Sequence, residues 1–286
     1  MKIKEIYKRK RPLLSFEIYP PKRNTELQNI DRTLQILADC HPDFISITFG
    51  AAGSTANNRT IELAKKIKKQ YDINLLIHLT CINYRRDEID DFIQQLTECG
   101  IENVLALRGD RNPDIPEKKD FLHASDLTRY LTDHTDFCIG GACYPEKHPE
   151  SEDRVQDITN MKKKIDAGTD FLLTQLFFEN DFFYAFRQNC RMAGITVPVS
   201  AGIMPVINKN QIERMVTLCG ASLPEKFRKI ITKYGDNKEA LFEAGMSYAQ
   251  SQIIDLIAND VDGIHLYTMN NPTVARRLTD GIKHII

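Results

Sequence analysis

The chain has 286 residues, of which 42% are hydrophobic and 27% are charged, and its formal net charge is −1 at pH 7. This composition is ordinary for a globular protein, and the near-zero charge gives no support for a nucleic-acid partner. No apolar stretch approaches the roughly 20 residues that a membrane span needs, and the charged segment before Leu13 lacks the form of a signal peptide. We therefore expect a cytoplasmic protein that binds neither nucleic acid nor membranes.

Eight short apolar runs alternate with helix-like segments, after a basic cluster at Lys8–Arg11 that we expect to be a solvated arm. In chain order the runs predict strands at Leu13–Tyr19, Phe44–Phe49, Leu75–Cys81, Val104–Leu107, Phe137–Tyr144, Phe171–Phe178, Val197–Met204 and Ile264–Tyr267. Between two of them, Ile89, Phe92, Ile93 and Leu96 recur at the spacing of one helix face. Strands and helices that alternate in this way predict βαβ units and a parallel sheet.

This pattern favours an α/β fold in which residues 1–286 form a single (βα)8 barrel. The alternative is an open, doubly wound sheet, but no G-x-G-x-x-G motif follows any of the runs. In (βα)8 barrels the active site lies at the carboxyl ends of the strands. The polar residues at these ends are Glu17, Thr48, His78, Arg108, Asp110, Tyr144, Gln175 and Asn270.

Glu17 is the most informative of these residues. Strand alternation places Ser15 and Glu17 on one face of the first strand, and Phe16 and Ile18 on the other. Burial of a carboxyl in an apolar strand disfavours its ionised form, so we expect a raised pKa that suits a general acid near neutral pH. The alternative is a structural ion pair in the barrel mouth.

Other strand ends carry weaker signals. Gly109 permits a tight turn or a close approach of a ligand to the backbone before Asp110. The alternative is that Arg108 and Asp110 simply pair with each other. Gln175 stands alone among apolar strand residues, and it is either a satisfied core amide or a ligand contact.

A polar stripe follows the fifth strand. Asp157, Asn160 and Lys164 share one face of the predicted helix, beside a packing stripe that includes Val155 and Met161. A stripe of this kind is usually solvated surface, and the spacing alone does not make it a binding site.

The histidines and cysteines show no metal-binding arrangement. His78 and His265 lie far apart in the sequence, no H-x-H or H-E-x-x-H motif is present, and the seven cysteines include no C-x-x-C pair. We therefore expect reduced thiols and no metal site, and a metal-dependent barrel hydrolase is disfavoured.

Eight motifs occur in a characteristic order from about Leu14 to Leu278. They are Ser15-Phe-Glu-Ile-Tyr-Pro-Pro-Lys22, Thr48-Phe-Gly-Ala-Ala-Gly-Ser-Thr55, His78-Leu-Thr-Cys81, Ala106-Leu-Arg-Gly-Asp110, Tyr144-Pro-Glu-Lys-His-Pro149, Thr174-Gln-Leu-Phe-Phe178, Gly202-Ile-Met-Pro205 and Tyr267-Thr-Met-Asn270. With them the chain resembles the bacterial-type 5,10-methylenetetrahydrofolate reductases.

The resemblance implies a flavoprotein with FAD at the carboxyl ends of the barrel strands. NADH or NADPH would reduce the flavin, and methylenetetrahydrofolate would then occupy the same face and become 5-methyltetrahydrofolate, a ping-pong reaction of one-carbon metabolism and methionine biosynthesis. Glu17 would be the general acid that assists opening of the imidazolidine ring. Asp110 would lie beside the flavin and the pterin and tune the flavin potential. The regulatory domain of eukaryotic members is not expected here, and family members commonly form homo-oligomers.

The resemblance also implies the binding residues. FAD would be bound by Thr48, His78, Arg108, Gly109, Asp110, Ala124, Tyr144, His148, Asp157, Asn160, Lys163 and Lys164. The folate or nicotinamide would be bound by Glu17, Asp110, Gln175, Gln211 and Asn271.

The chain departs from the family pattern at three positions. Met215 stands where a phenylalanine often stacks on the ligand, and His123 stands where an aromatic residue often lies near the adenine. Asn271 stands where a basic residue is often found, which leaves the contact with the folate glutamate tail open. Two other functions stay open: a cofactor-free barrel lyase or aldolase that uses Glu17 as its acid–base, and a non-catalytic folate or flavin binder.

Overall fold

The computed structural model describes residues 1–21, 27–49, 54–111 and 117–286, apart from the side chains of residues 27–29, 54–58, 211, 213, 214, 217 and 218. Eight strands form a closed barrel in the order β1 to β8, and each strand is parallel to both neighbours. They are β1 (Leu13–Ile18), β2 (Phe44–Ile47), β3 (Asn74–Thr80), β4 (Asn103–Leu107), β5 (Cys138–Cys143), β6 (Phe171–Thr174), β7 (Val199–Ile203) and β8 (Gly263–Tyr267). The predicted (βα)8 barrel is confirmed, and the open sheet is excluded.

Helices follow the strands and cover the outside of the barrel, except for the first, which precedes β1 and packs against the amino-terminal end of the barrel. In the described part of the chain they are α1 (Ile3–Ile6), α2 (Leu27–Asp39), α3 (Ser54–Tyr71), α4 (Arg86–Glu98), α5 (Ala124–His134), α6 (Arg154–Asp166), α7 (Asn180–Met192), α8 (Lys209–Cys219), α9 (Glu225–Tyr234), α10 (Lys238–Ala258) and α11 (Pro272–Ile282). No helix among the described residues is long and apolar enough to span a membrane.

Helix α4 shows how the sequence produces one of these units. Its Ile89 and Leu96 are buried against the barrel, as the spacing of its apolar residues predicts. The chain leaves the helix through Gly100, whose φ of 63° lies in the left-handed region that glycine adopts readily. The turn places Asn103 at the start of β4 only three residues later.

Apolar side chains fill the amino-terminal end of the barrel. Leu13, Phe44 and Phe171 form one cluster there with Ile3 and Ile6 of α1, and all five are fully or almost fully buried. This layer leaves the polar residues at the opposite end, so the strand ends that carry them surround the open mouth of the barrel.

The basic cluster at Lys8–Arg11 is not a free arm, contrary to the expectation from sequence. Arg9 and Arg11 bind the buried carboxylate of Asp43, with N–O distances of 2.9 and 2.7 Å to Oδ1. The other oxygen of Asp43 accepts a hydrogen bond of 2.9 Å from the backbone N–H of Leu14. A buried carboxylate needs such partners, so the arginines hold the N-terminal segment against the barrel.

Candidate active site

A cavity of about 430 Å³ opens at the carboxyl ends of the strands. Predicted site residues that line it are Glu17, Thr48, His78, Arg108, Gly109, Asp110, Ala124, Tyr144, His148, Lys164 and Gln175. The barrel thus brings together residues from six strand ends and from helices α5 and α6. A cavity of this size and mixed polarity is typical of small-molecule sites.

Glu17 lies at the end of β1, is only 7% exposed, and faces two histidines from other strands. The Oε2 atom of Glu17 lies 3.6 Å from Nε2 of His78 on β3 and 3.9 Å from Nε2 of His265 on β8. Nδ1 of His265 forms a hydrogen bond of 2.7 Å with Oγ of Ser15, and its Nε2 lies 3.3 Å from Oγ of Ser46. Of the two histidines beside the carboxyl, His265 is therefore held by two serines and His78 is not.

These neighbours reverse the expected pKa of Glu17. Burial by itself raises the pKa of the carboxyl, but hydrogen bonding with His265, the charges of the two histidines and hydrogen bonding with Tyr19 lower it, and the net direction is downward. The expectation of a raised pKa is therefore wrong, because it counted desolvation and omitted the histidine that β8 brings beside the carboxyl.

Among Glu17, His78 and His265, it is His78 that has a buried side-chain nitrogen without a hydrogen-bond partner. Burial lowers its pKa to about 4, in spite of the opposing effect of Glu17, so the imidazole is neutral at pH 7. Its Nε2 atom is buried and has no hydrogen-bond partner. An unpaired polar atom on the wall of a cavity is a common mark of a ligand contact.

Arg108 and Asp110 do not form the pair that the sequence left open. The guanidinium of Arg108 binds Glu150 with both terminal nitrogens, at 2.5 and 2.7 Å. This contact lowers the pKa of Glu150 to about 2. Asp110 is exposed at the cavity, after Gly109, whose φ of 90° suits glycine and whose added Cβ would lie 3.1 Å from Thr80.

The strand-five loop, residues 144–153 between β5 and α6, contributes an aromatic pair to the cavity. The rings of Tyr144 and His148 meet edge to face with 4.6 Å between their centroids. Burial lowers the pKa of His148. At the end of the neighbouring strand β6, the side-chain oxygen of Gln175 accepts a hydrogen bond of 2.8 Å from the backbone N–H of Leu176.

Helix α6 turns two of its predicted polar residues inward. Asp157 is only 7% exposed and accepts a hydrogen bond of 3.0 Å from Oγ of Ser151. Lys164 donates to the backbone carbonyl of Ala142 and lines the cavity, and burial lowers its pKa. Asp157 itself does not line the main cavity but sits just outside it, behind the strand-five loop.

The other two predicted residues of α6 lie on its outer side. Asn160 and Lys163 are exposed, and Nζ of Lys163 donates a hydrogen bond of 3.2 Å to Oδ1 of Asn160. Val155, which we assigned to the packing stripe, is 75% exposed, whereas Met161 is buried. The assignment of Val155 is wrong, because the first turn of α6 directs Asp157 toward Ser151 and so turns Val155 outward.

Asn271, a predicted substrate residue, lies apart from the cavity lining. Asn271 is the N-cap residue of α11, and its side chain accepts hydrogen bonds from the backbone N–H groups of Thr273 and Val274. Gln211 belongs to α8, but its side chain lies outside the described residues. Met215, also on α8, does line the cavity.

Sequence reasoning missed His265, Tyr267, Tyr19 and Met269 as lining residues. A signal for His265 was present, because it alternates with apolar neighbours in β8 and pairs in register with Ser15 on the inward face of β1. The residues of the β8 end could not be placed without the closure of the barrel. In the part of the chain that the structure describes, no three His, Cys, Asp or Glu side chains are arranged to hold a metal ion.

Comparisons with known proteins identify the family of this chain. Residues 2–283 match the methylenetetrahydrofolate reductase family. Methylenetetrahydrofolate reductase (NADH) 1 of Arabidopsis thaliana is 34% identical over 284 residues, which cover 94% of this chain and 48% of the plant protein. The chain therefore spans about half the length of the plant relatives that it matches.

Bacterial relatives match over most of their length. The 5,10-methylenetetrahydrofolate reductase of Escherichia coli (strain K12) is 33% identical over 257 residues, which cover 90% of this chain and 86% of that protein. Among solved structures, a Clostridium thermocellum protein described as binding two copies of 5-methyl-5,6,7,8-tetrahydrofolic acid shares the fold, with a TM-score of 0.73, 18% identity and 99% of each chain covered. From the family match and these bacterial relatives, the chain belongs to the methylenetetrahydrofolate reductase family.

Proposed function

We propose that this protein reduces methylenetetrahydrofolate to 5-methyltetrahydrofolate, with FAD as its bound redox group and NADH or NADPH as the reductant. One observation carries the proposal beyond family membership: a single buried carboxyl, Glu17, stands at the cavity wall between two histidines. In this proposal the nicotinamide and the folate occupy the cavity in turn, as a ping-pong reaction needs.

The cavity residues fit a flavin dinucleotide. The buried Nε2 of His78 lacks a partner, and a bound ring with polar edges would supply one. Lys164 and Arg108 are two basic side chains on the lining that an anionic dinucleotide can contact, Arg108 as part of its pair with Glu150. We assign the binding of FAD to Thr48, His78, Arg108, Gly109, Ala124, Tyr144, His148 and Lys164. Asp157, Asn160 and Lys163 stay predictions for the same role. When bound, FAD would supply hydride uptake from the nicotinamide and hydride delivery to the folate.

Glu17 serves as the general acid in this proposal. Opening the imidazolidine ring breaks a C–N bond, and the departing nitrogen needs a proton from a group within hydrogen-bond reach. The pKa of Glu17 lies below its ordinary value in this structure, so the carboxyl is ionised at neutral pH. A folate that fills the cavity removes water from the carboxyl and raises its pKa, which favours proton uptake when the substrate is present.

Asp110 adds a negative charge at the cavity without a direct ion-pair partner on Arg108, which is held by Glu150. A carboxylate there disfavours additional negative charge on a neighbouring ligand. We propose that it lowers the potential of the flavin, as the sequence resemblance implies.

The test separates the two half-reactions by stopped-flow absorbance. Wild-type protein should bind FAD, which is identified after denaturation, should be reduced by NADH or NADPH, and should be reoxidised by methylenetetrahydrofolate. E17Q should keep FAD and its reduction but lose reoxidation by about a hundredfold or more. E239Q, which changes an exposed glutamate in the first turn of α10, is the matched control and should behave as wild type.

Three results would overturn the proposal. A protein that binds no FAD, even when FAD is added, would leave the cofactor-free lyase or aldolase. A wild type that binds both ligands without electron transfer to the folate would be a binder. Unchanged reoxidation in E17Q would remove Glu17 from the acid role. A place in methionine biosynthesis, a cytoplasmic location and a homo-oligomeric state stay predictions.

A further inference from the structure

Asn270 lies just beyond β8 and binds the main chain just beyond β1. Its Oδ1 accepts a hydrogen bond of 2.9 Å from the backbone N–H of Tyr19, and its Nδ2 donates one of 2.9 Å to the backbone carbonyl of Tyr19. The register between the strands ends with Glu17 opposite Tyr267. The side-chain amide of Asn270 therefore takes the place of a peptide group and extends the pairing past the last strand residues.

The backbone of this turn is unusual. Met269 and Asn270 have φ values of 53° and 56°, two successive residues in the left-handed region that L-amino acids seldom adopt. Asparagine tolerates this region better than most side chains. Strained conformations persist where the surrounding structure determines them and are concentrated at functional sites.

The turn is joined to β1 at two residues. Oγ of Thr268 donates a hydrogen bond of 3.3 Å to the backbone carbonyl of Glu17, and Asn270 holds Tyr19 two residues further on. Glu17, Tyr19 and Met269 all line the cavity. The hydroxyl of Tyr19 donates to the sulfur of Met269 at 3.4 Å, so the turn fixes one wall of the cavity as well as the backbone of the acid.

We infer that Asn270 is a positioning residue for the folate half-reaction: its two hydrogen bonds to Tyr19 hold the end of β1 so that Glu17 and Tyr19 keep their places in the cavity. This inference rests on the proposed function, because it assigns the acid role to Glu17. Asn270 is not part of the cavity lining, and it acts through its two hydrogen bonds to the Tyr19 backbone.

The test uses N270D, which keeps the shape and the left-handed tolerance of the residue but turns the donor that faces the Tyr19 carbonyl into an acceptor. N270G is the second variant, because glycine keeps the backbone conformation and removes both bonds without adding charge. N237D is the matched control, since Asn237 caps α10 through Oδ1, a role that aspartate fills equally well.

Each variant is measured in both half-reactions and by hydrogen exchange. In N270D and N270G we expect reoxidation of the reduced flavin by methylenetetrahydrofolate to fall roughly tenfold to a hundredfold, since small displacements of a catalytic group cost this much. Reduction by the nicotinamide should stay within about twofold of wild type, because Glu17 is not needed there. Exchange of the Tyr19 amide should be faster in N270G, which loses the acceptor of that N–H, and unchanged in N237D.

The outcomes separate the inference from the proposed function. A parallel loss of both half-reactions, or unchanged folate reoxidation, would show that Asn270 is only a structural residue. If wild-type protein binds no flavin, the proposed function fails. Hydrogen exchange then still tests whether Asn270 holds the Tyr19 backbone, since it needs no flavin. An unchanged exchange rate of the Tyr19 amide in N270G would overturn the inference.

Discussion

Glu17 and His265 face each other across the pairing of the first and last strands, with 3.9 Å between Oε2 of the carboxyl and Nε2 of the imidazole. His265 is fully buried, and its other nitrogen is held by Ser15 at 2.7 Å. The acid of the proposed reaction therefore depends on a residue from the opposite end of the chain for its protonation state.

Replacing this histidine should shift the pH dependence of the folate half-reaction. Hydrogen bonding with His265 lowers the pKa of Glu17, so H265F should raise that pKa. An acid is active while protonated, so the rate falls as the pH rises through its pKa, and the falling limb should move to higher pH in H265F. The measurement is the rate of flavin reoxidation from about pH 3 to about pH 9, a range that includes the lowered pKa of Glu17. H134F, at an exposed residue of α5, should leave the profile unchanged. A profile that moves to lower pH would contradict this electrostatic account.

The contacts of Asp43 with the N-terminal segment should contribute measurably to the stability of the protein. Asp43 binds Arg9, Arg11 and the N–H of Leu14, so D43N removes one charge from three contacts in a buried position. We expect the free energy of unfolding to fall by about 2 kcal/mol, because hydrogen bonds to charged groups are worth about this much. Urea unfolding at pH 7 measures it. D39N breaks the exposed pair with Arg276 and should cost less than about 1 kcal/mol. Equal losses in both variants would show that the burial of Asp43 contributes nothing.

Local patterns predicted the barrel well, and the reason is visible in the strands. Each strand is short and apolar, and each is followed by a helix whose apolar face packs on it, so the order of elements determined the fold. Alternation within β1 also placed Glu17 inside the barrel correctly. These features depend on residues that are near one another in the sequence.

The errors come from contacts between distant residues. Ser15 and His265 are separated by 250 positions, and Arg108 and Glu150 by 42, so neither partner could be assigned from a strand-end pattern. The prediction for the pKa of Glu17 was wrong because the position of His265 was unknown. The question of an Arg108–Asp110 pair stayed open because Glu150 could not be identified as the partner of Arg108. The inward rotation of Asp157 has a local cause instead, because Ser151 lies in the loop before α6 and so outside the helical periodicity.

The Arg108–Glu150 pair should stabilise the protein in a defined pH window. The pKa of Glu150 is lowered to about 2 by Arg108, so its contribution is present above the ordinary glutamate pKa and is lost as the pH falls toward 2. Because Glu150 is half exposed, we expect less than about 1 kcal/mol. Urea unfolding of wild type and E150Q should differ at pH 7 and converge near pH 2. A constant difference across this range would assign the effect to packing.

Replacement of His78 should weaken ligand binding while changing the stability of the protein little. Its Nε2 has no partner, so H78F removes no hydrogen bond at that atom, and we expect the free energy of unfolding at pH 7 to change by less than about 1 kcal/mol. H265F, the same substitution on the other side of Glu17, loses the contacts with Ser15 and Ser46 and should cost about 2 kcal/mol.

Below pH 7, the dependence of stability on pH also distinguishes wild type from H78F. The pKa of His78 is about 4, below that of an unfolded histidine, so between these values the unfolded chain binds more protons and wild-type stability falls as the pH is lowered. H78F should lose this part of the slope. Its affinity for FAD, measured by flavin fluorescence, should fall about tenfold, because the bound ligand loses a hydrogen bond to Nε2. A variant that is strongly destabilised at pH 7 but binds FAD normally would show that His78 serves the fold and not the ligand.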